Sequence, residues 1–123
     1  MTTDDLRTAA IAARTTLDTL ATAWDNHRSS CPTCRDHGPF WNCPTGAALH
    51  KEVLHGAHAT CQALLEYAPP GTEVTYQGSQ TQFHGPGWLV EGVTAQSLGS
   101  CYTIRRDEDW LSFVHVESID LTS

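Results

Sequence analysis

The sequence predicts an α+β protein in which a helical hairpin precedes a small antiparallel β-structure. Apolar side chains recur at helical spacing up to Ala68, whereas after Gly71 short runs alternate between apolar and polar residues. A cluster of cysteines and histidines lies between the two helical segments. These observations divide the chain into residues 1–68, a helical hairpin, and residues 69–123, a small β-subdomain.

The first helix is predicted to end near residues 29–31. Its apolar face advances by alternating steps of four and three residues, which is the pattern of one buried helix face. The members of this face are Leu6, Ala10, Ala13, Leu17, Leu20 and Trp24. His27 and Cys31 continue the series, so their side chains should point toward whatever the helix packs against. Pro32 disfavours helical dihedral angles at Cys31 and predicts that the helix ends there.

Four side chains in and after the end of this helix are of the kind that binds zinc. His27, Cys31 and Cys34 have the spacing H-x3-C-x2-C, and Cys43 follows after eight intervening residues. One imidazole and three thiolates complete a tetrahedral zinc site and leave no coordination position for water. We therefore predict one structural zinc ion per chain, held by His27, Cys31, Cys34 and Cys43.

Other interpretations of these residues remain open. An iron–sulfur cluster prefers four cysteines and would have to recruit the distant Cys61. The cysteines could also be free thiols that happen to cluster. His37 or His50 could replace one of the four proposed ligands.

The H-x3-C-x2-C spacing at the end of an amphipathic helix resembles the core of the zinc-binding anti-sigma-factor domain. In that family the fourth ligand lies upstream, on an earlier helix, but this chain has no Cys or His before His27. Cys43 would have to take its place. The resemblance covers only the short segment around His27, Cys31 and Cys34, and it implies a cytosolic regulator that binds a transcription protein.

The second helix is predicted from about Pro44 to Tyr67, with Cys43 as its N-cap. Its apolar face repeats the steps of the first helix, so the two helices should form an antiparallel hairpin joined by the metal-binding loop. The members of this second face are Ala47, His50, Leu54, Ala57, Cys61, Leu64 and Ala68. We interpret Cys61 as a core residue. Phe40 and Trp41, in the connecting loop, are expected to cover the metal.

Five short strands are predicted after Gly71, followed by a last turn or strand over 118–121. The predicted strands are 73–77, 81–84, 88–91, 101–105 and 111–116. Short connections between short strands predict a small five-stranded antiparallel barrel or a strongly bent sheet. The spacing loosely resembles that of a Src-homology-3-like barrel.

The charge of the chain disfavours nucleic acid as a partner. Lys and Arg number 7 against 14 for Asp and Glu, and residues 69–123 carry 2 basic and 7 acidic side chains. Broad phosphate binding needs clustered cations, which this sequence lacks. The sequence also has no Gly-rich phosphate loop and no nucleophile elbow, so we expect no enzymatic activity.

These features predict a zinc-stabilised regulatory or adaptor protein that binds another protein, such as a component of the transcription machinery or a mobile-element or defence protein. A nucleic-acid-binding module and a structural component of a larger assembly are the alternatives. The chain has five cysteines and neither an N-terminal apolar run nor a stretch that could span a membrane. We expect it in the reducing cytoplasm.

Overall fold

The computed structural model describes residues 2–37, 41–94 and 97–121, which form an α+β fold. The helices are α1 (Thr3–Ser30), α2 (Pro32–Asp36) and α3 (Pro44–Tyr67). The strands are β1 (Glu73–Tyr76), β2 (Gly85–Val93), β3 (Tyr102–Arg106), β4 (Asp109–Val114) and β5 (Ile119–Leu121), with short 3₁₀ helices at Thr81–Phe83 and Val116–Ser118. The predicted α+β class is confirmed. None of the helices in these ranges is long and apolar enough to cross a membrane.

Local chemistry sets the ends of the two long helices. Thr2 and Asp5 form a capping box at the start of α1, in which each side chain accepts a hydrogen bond from the other residue's backbone N–H. Cys31 ends α1 in an extended conformation just before Pro32. Cys43 is the N-cap of α3, and its side chain accepts a hydrogen bond from the backbone N–H of Gly46. The predicted end of α1 and the predicted bounds of α3 are therefore confirmed.

α1 and α3 pack side by side in antiparallel directions. A Cβ atom added at Gly56 would lie 3.5 Å from Leu17 Cδ1, and Thr60 Oγ1 lies 3.1 Å from the carbonyl oxygen of Ala13. Moving along α3 from Gly56 to Thr60 therefore corresponds to moving back along α1 from Leu17 to Ala13, as in an antiparallel pair. Because glycine and a buried threonine form these contacts, the two backbones approach closely.

The predicted buried face of α3 is wrong at two positions. Ala47 is exposed and Leu54 is 50% exposed. The buried residues of α3 are Gly46, Val53, Thr60, Leu64 and Tyr67. The helix is rotated relative to the prediction because small residues, rather than the largest apolar ones, allow the close approach to α1.

The strands form one open antiparallel sheet with the order β4-β3-β2-β1-β5. β4 and β5 are its edges and do not pair with each other. Of the two predicted alternatives, the closed barrel is therefore wrong, and a five-stranded sheet is observed. Register shifts in three of the four strand pairs indicate β-bulges or similar irregularities.

The strand predicted at 81–84 is also wrong, because Thr81–Phe83 is a 3₁₀ helix. The chain turns there and enters β2 at Gly85, earlier than predicted. The indole N–H of Trp88 donates a hydrogen bond to the carbonyl oxygen of Phe83 (3.1 Å), which holds this turn against the sheet. The fifth strand is instead β5, within the segment predicted as a last turn or strand.

One hydrophobic core joins the sheet to the base of the helical hairpin. The buried sheet-side residues are Val74, Tyr76, Trp88, Val90, Tyr102, Ile104, Leu111, Val114, Val116 and Ile119, and Ala10, Leu64, Tyr67 and Ala68 come from the helical half. The Tyr102 hydroxyl donates a hydrogen bond to the carbonyl oxygen of Leu64 (2.5 Å), and burial raises the pKa of Tyr102. Arg14 on α1 pairs with Glu117 beside β5. The segments 1–68 and 69–123 thus contribute to the same core.

Two bulky residues have left-handed backbone conformations on the surface. Phe113 on β4 has φ +59° and is 56% exposed, and Leu98 in the β2–β3 connection has φ +58° and is 47% exposed. Side chains of this size rarely adopt positive φ, and holding one there costs about 1–3 kcal/mol. At Phe113 this conformation coincides with the register shift between β3 and β4.

Candidate metal centre

The four predicted ligands come together at the junction of the three helices. One candidate ligand atom from each of His27, Cys31, Cys34 and Cys43 lies within 4.8 Å of each of the others. His27 is in the last turn of α1, Cys31 separates α1 from α2, Cys34 is in α2, and Cys43 is the N-cap of α3. These four side chains therefore lie close enough together to bind one metal ion.

The separations fit a tetrahedral ion. His27 Nε2 lies 3.1 Å from Cys43 Sγ, and Cys31 Sγ lies 3.9 Å from Cys43 Sγ. Bond lengths of about 2.3 Å to sulfur and about 2.0 Å to nitrogen place tetrahedral zinc ligands about 3.5–3.8 Å apart. The two observed distances lie on either side of this range, so small side-chain movements suffice for coordination.

Backbone N–H groups point at the sulfur atoms. The N–H of Cys43 donates to Cys34 Sγ (3.4 Å), and the N–H of Gly46 donates to Cys43 Sγ (3.3 Å). The backbone N–H of Cys34 is the main cause that lowers the pKa of Cys31. These donors favour the thiolate forms that bind a metal ion.

Cys34 is the most buried of the four side chains, with 1% of its surface exposed. The N–H of Cys43 works to lower the pKa of Cys34, but burial and the neighbouring sulfur atoms of Cys43 and Cys31 raise it overall. A divalent cation reverses this balance, because its charge stabilises a coordinating thiolate directly. A cation beside Cys34 would therefore shift this side chain toward the thiolate form.

Gly46 provides the space in which the cluster fits. A Cβ atom added at this position would lie 3.2 Å from Cys34 Sγ and 3.3 Å from His27 Cδ2. Both contacts are tighter than those that nearly all real Cβ atoms make. A side chain on this turn of α3 would therefore push two of the four candidate ligands.

The first prediction concerns this glycine. Gly46→Ala should lower the affinity for zinc, because the new methyl group displaces Cys34 Sγ or the ring of His27. Gly56→Ala is the matched control on the same helix: its new Cβ meets the flexible end of Leu20 at 3.2 Å, far from the cluster. Both changes raise helix propensity by about 1 kcal/mol. Competition with a chromophoric chelator measures both affinities, and equal affinities would contradict the proposed role of Gly46.

Aromatic and amide side chains connect α1 with α3 and with the residue before it. The rings of Trp24 and His50 stack with centroids 4.8 Å apart. Asn42 Oδ1 accepts hydrogen bonds from Trp24 Nε1 and Arg28 Nη1, both 3.2 Å long. Asn42 directly precedes Cys43, so these bonds tie the entrance of α3 to the end of α1. His50 contacts Trp24 and is not among the candidate ligands.

Other residues considered from the sequence lie elsewhere. His37 is exposed, and its ring centroid lies 4.2 Å from that of Trp41 with the two rings tilted by 38°. Neither His37 nor Cys61 belongs to the cluster. Trp41 is itself 39% exposed. Phe40, which was predicted to cover the metal, lies outside the described residues. Sequence reasoning missed Gly46 and Asn42; the only signal for Asn42 was its position next to Cys43.

Comparisons with known proteins found no match for this chain. No protein-family model matches it. No curated protein and no solved structure matches it either. The fold and the site define it as an α+β protein with a His-Cys₃ cluster that can bind a metal ion.

Proposed function

We propose that the protein is a zinc-stabilised regulatory or adaptor protein that acts by binding another protein. The observation that carries the proposal is the closed ligand set at the helix junction. Four protein side chains lie within 4.8 Å of one another, which is the full complement of a tetrahedral ion. An ion bound there has no position left for a substrate or a reactive water, so its role is to stabilise the fold.

Zinc is the metal that this donor set favours. Three thiolates with one imidazole is a common ligand set of structural zinc sites, whereas iron–sulfur clusters prefer four cysteines. The candidate fourth cysteine for a cluster, Cys61, is not part of the group. Cys43 occupies the N-cap of α3, where the helix dipole favours a thiolate.

The surface of the sheet supports a protein partner rather than nucleic acid. The only two basic side chains after residue 68 are Arg105 and Arg106. Arg105 pairs with Glu91 at 2.7 Å, and the guanidinium of Arg106 lies 4.5 Å from the ring centroid of Trp88. Both arginines are thus engaged within the sheet and do not form a cationic surface for phosphates.

A partner with a basic surface suits the net charge of −7. Such a surface is common on proteins that bind nucleic acid, and an acidic protein can compete with nucleic acid for it. The resemblance of His27, Cys31 and Cys34 to the anti-sigma-factor motif also supports a partner from the transcription machinery. We propose an inhibitor or adaptor of transcription machinery, or of a mobile-element or defence protein, in the reducing cytoplasm.

The proposal is tested by identifying a partner and rebuilding the complex from pure components. The zinc-loaded chain, immobilised, should retain a protein from extract of the encoding cells, and that protein, purified, should bind the chain in calorimetry with defined stoichiometry. A mobility-shift titration at low salt should show no complex with DNA or RNA. Tight nucleic-acid binding, or the failure of every retained protein to bind once purified, would contradict the proposed function.

A further inference from the structure

β4 is an edge strand with an unpaired side. Among the described residues it pairs only with β3, so one row of its backbone N–H and C=O groups faces away from the sheet. Proteins usually protect such an edge by shortening it or by placing charges along it. β4 has six residues, and after the charged Asp109 at its start it carries two exposed aromatic side chains, Trp110 (58% exposed) and Phe113 (56% exposed).

Phe113 combines an unfavourable backbone conformation with a position on the free edge of the sheet. Its φ of +59° suits glycine or asparagine far better than a phenylalanine. The fold does not bury the side chain in return, since more than half of it remains exposed. A strained residue persists when something over-determines it, and such residues concentrate at binding sites. The bulge around Phe113 therefore holds an aromatic ring toward solvent against the preference of its own backbone.

A cavity of about 320 Å³ lies along the same part of β4. Its lining includes Leu111, Phe113 and His115, together with Tyr76, Gln80 and Ser118 from the neighbouring segments. This volume is at the lower end of the range for small-molecule pockets, about 300–1,000 Å³. It is large enough to admit a side chain of a strand laid along β4, and most of its lining is polar.

Charge indicates the chemistry of that strand. Asp107, Glu108 and Asp109, in the turn that leads into β4 and at its first residue, are all exposed. None of the three forms an ion pair within the described ranges. A bound segment that carries lysine or arginine at this end would pair with them, whereas an acidic segment or a second copy of this acidic chain would be repelled.

We propose that the edge of β4 binds an extended peptide segment of another protein, with basic residues opposite Asp107–Asp109 and an apolar side chain against Phe113. The segment adds as a strand to the free side of β4, so that backbone hydrogen bonds supply affinity and the two side-chain contacts supply specificity. This inference rests on the proposed function, for which it names the surface and the partner chemistry.

The test uses the zinc-loaded full chain and a displayed library of linear, unstructured peptides. Selection should enrich peptides that combine Lys or Arg with large apolar residues. A synthetic peptide of the enriched sequence should shift the amide NMR signals of residues 109–115, and its affinity should fall as salt is raised because the charges are exposed. Enrichment of acidic peptides, or shifts confined to other elements, would overturn the inference.

Two matched variants separate a role in binding from a role in folding. Phe113→Asn removes the aromatic ring and introduces a residue that tolerates positive φ, so it should keep the fold and the metal content. It should weaken peptide binding about tenfold or more, as expected for an aromatic anchor. Leu98→Asn makes the same kind of change at another strained, exposed position, which is outside β4, and should leave peptide affinity unchanged.

Three further outcomes would overturn the inference. Equal peptide affinity of Phe113→Asn and the unmodified chain, or no enrichment above a control library, would overturn it. Concentration-dependent self-association that Phe113→Asn abolishes would show a second copy on this edge and would also overturn it. In each case the proposed function is judged separately, by the complex rebuilt from the purified partner, which would then have to use another surface.

Discussion

Replacing Cys34 with serine is expected to release the metal ion and to unfold the end of the hairpin that surrounds it. Cys34 is 1% exposed, and its sulfur lies in a group of four candidate ligand atoms within 4.8 Å. A hydroxyl is a far weaker zinc ligand than a thiolate, and structural zinc binding in small folds contributes about 10–16 kcal/mol. Metal analysis should fall from about one zinc per chain to a small fraction of that.

The loss of structure should be confined to one end of the hairpin. Ala10 and Leu64 pack in the core with the sheet, so the other ends of α1 and α3 keep their anchor without the metal. Hydrogen exchange should show faster exchange for the amides around Cys43 and Gly46 and little change near Leu64. Loss of protection over the whole chain would mean that the metal supports the entire fold.

Cys61→Ser is the matched control for this variant. Cys61 is half-buried on α3 and is not part of the cluster. The Cys61→Ser variant should keep its zinc and the hydrogen-exchange pattern of the unmodified chain. If Cys34→Ser retains both the metal and its melting transition, then the assignment of the ligands is wrong.

Replacing Trp88 with alanine is expected to have the largest effect within the sheet. The Trp88 side chain is fully buried, its indole N–H donates to the carbonyl oxygen of Phe83, and the guanidinium of Arg106 lies over its ring. Removing a buried aromatic side chain costs about 3–5 kcal/mol through lost burial and the cavity left behind. Domains of this size are stable by only about 5–15 kcal/mol, so the variant should lose a large part of its free energy of unfolding.

Trp110→Ala tests whether the effect of Trp88 comes from burial. Trp110 is 58% exposed and contacts Arg105 through a cation–π interaction at 5.6 Å. Its loss should lower the free energy of unfolding by no more than about 1 kcal/mol. Urea unfolding of the zinc-loaded proteins measures both. A Trp88→Ala variant as stable as Trp110→Ala would show that the sheet core repacks around the missing ring.

The helix ends and the clustering of the four candidate ligands could be predicted because short-range chemistry determines them. Pro32 and Pro44 fix where α1 ends and α3 begins, and Cys43 caps α3. The spacing of the cysteines and the helical position of His27 were enough to bring the four side chains together. Each of these features depends on residues that are near one another in the chain.

The wrong predictions depend on distant contacts. The face of α3 is decided by how closely α1 approaches, and glycine or threonine at the contact leaves no hydrophobic signal in the sequence. Thr81–Phe83 has the composition of a strand, but Trp88 holds it as a 3₁₀ turn. Closure of a barrel would need β4 to pair with β5, and no local pattern in either strand specifies that pairing.

About 32 Å of helix separates Cys43 from Leu64 at the two ends of α3. Under the proposed function, metal coordination holds the first end, whereas apolar contact with the sheet holds the second. A drop in available zinc would therefore destabilise the start of α3 and leave its end, at the sheet, folded. A peptide on the edge of β4 could therefore stay bound to the zinc-free chain, whereas a partner that contacts the end of the hairpin around Cys43 would dissociate.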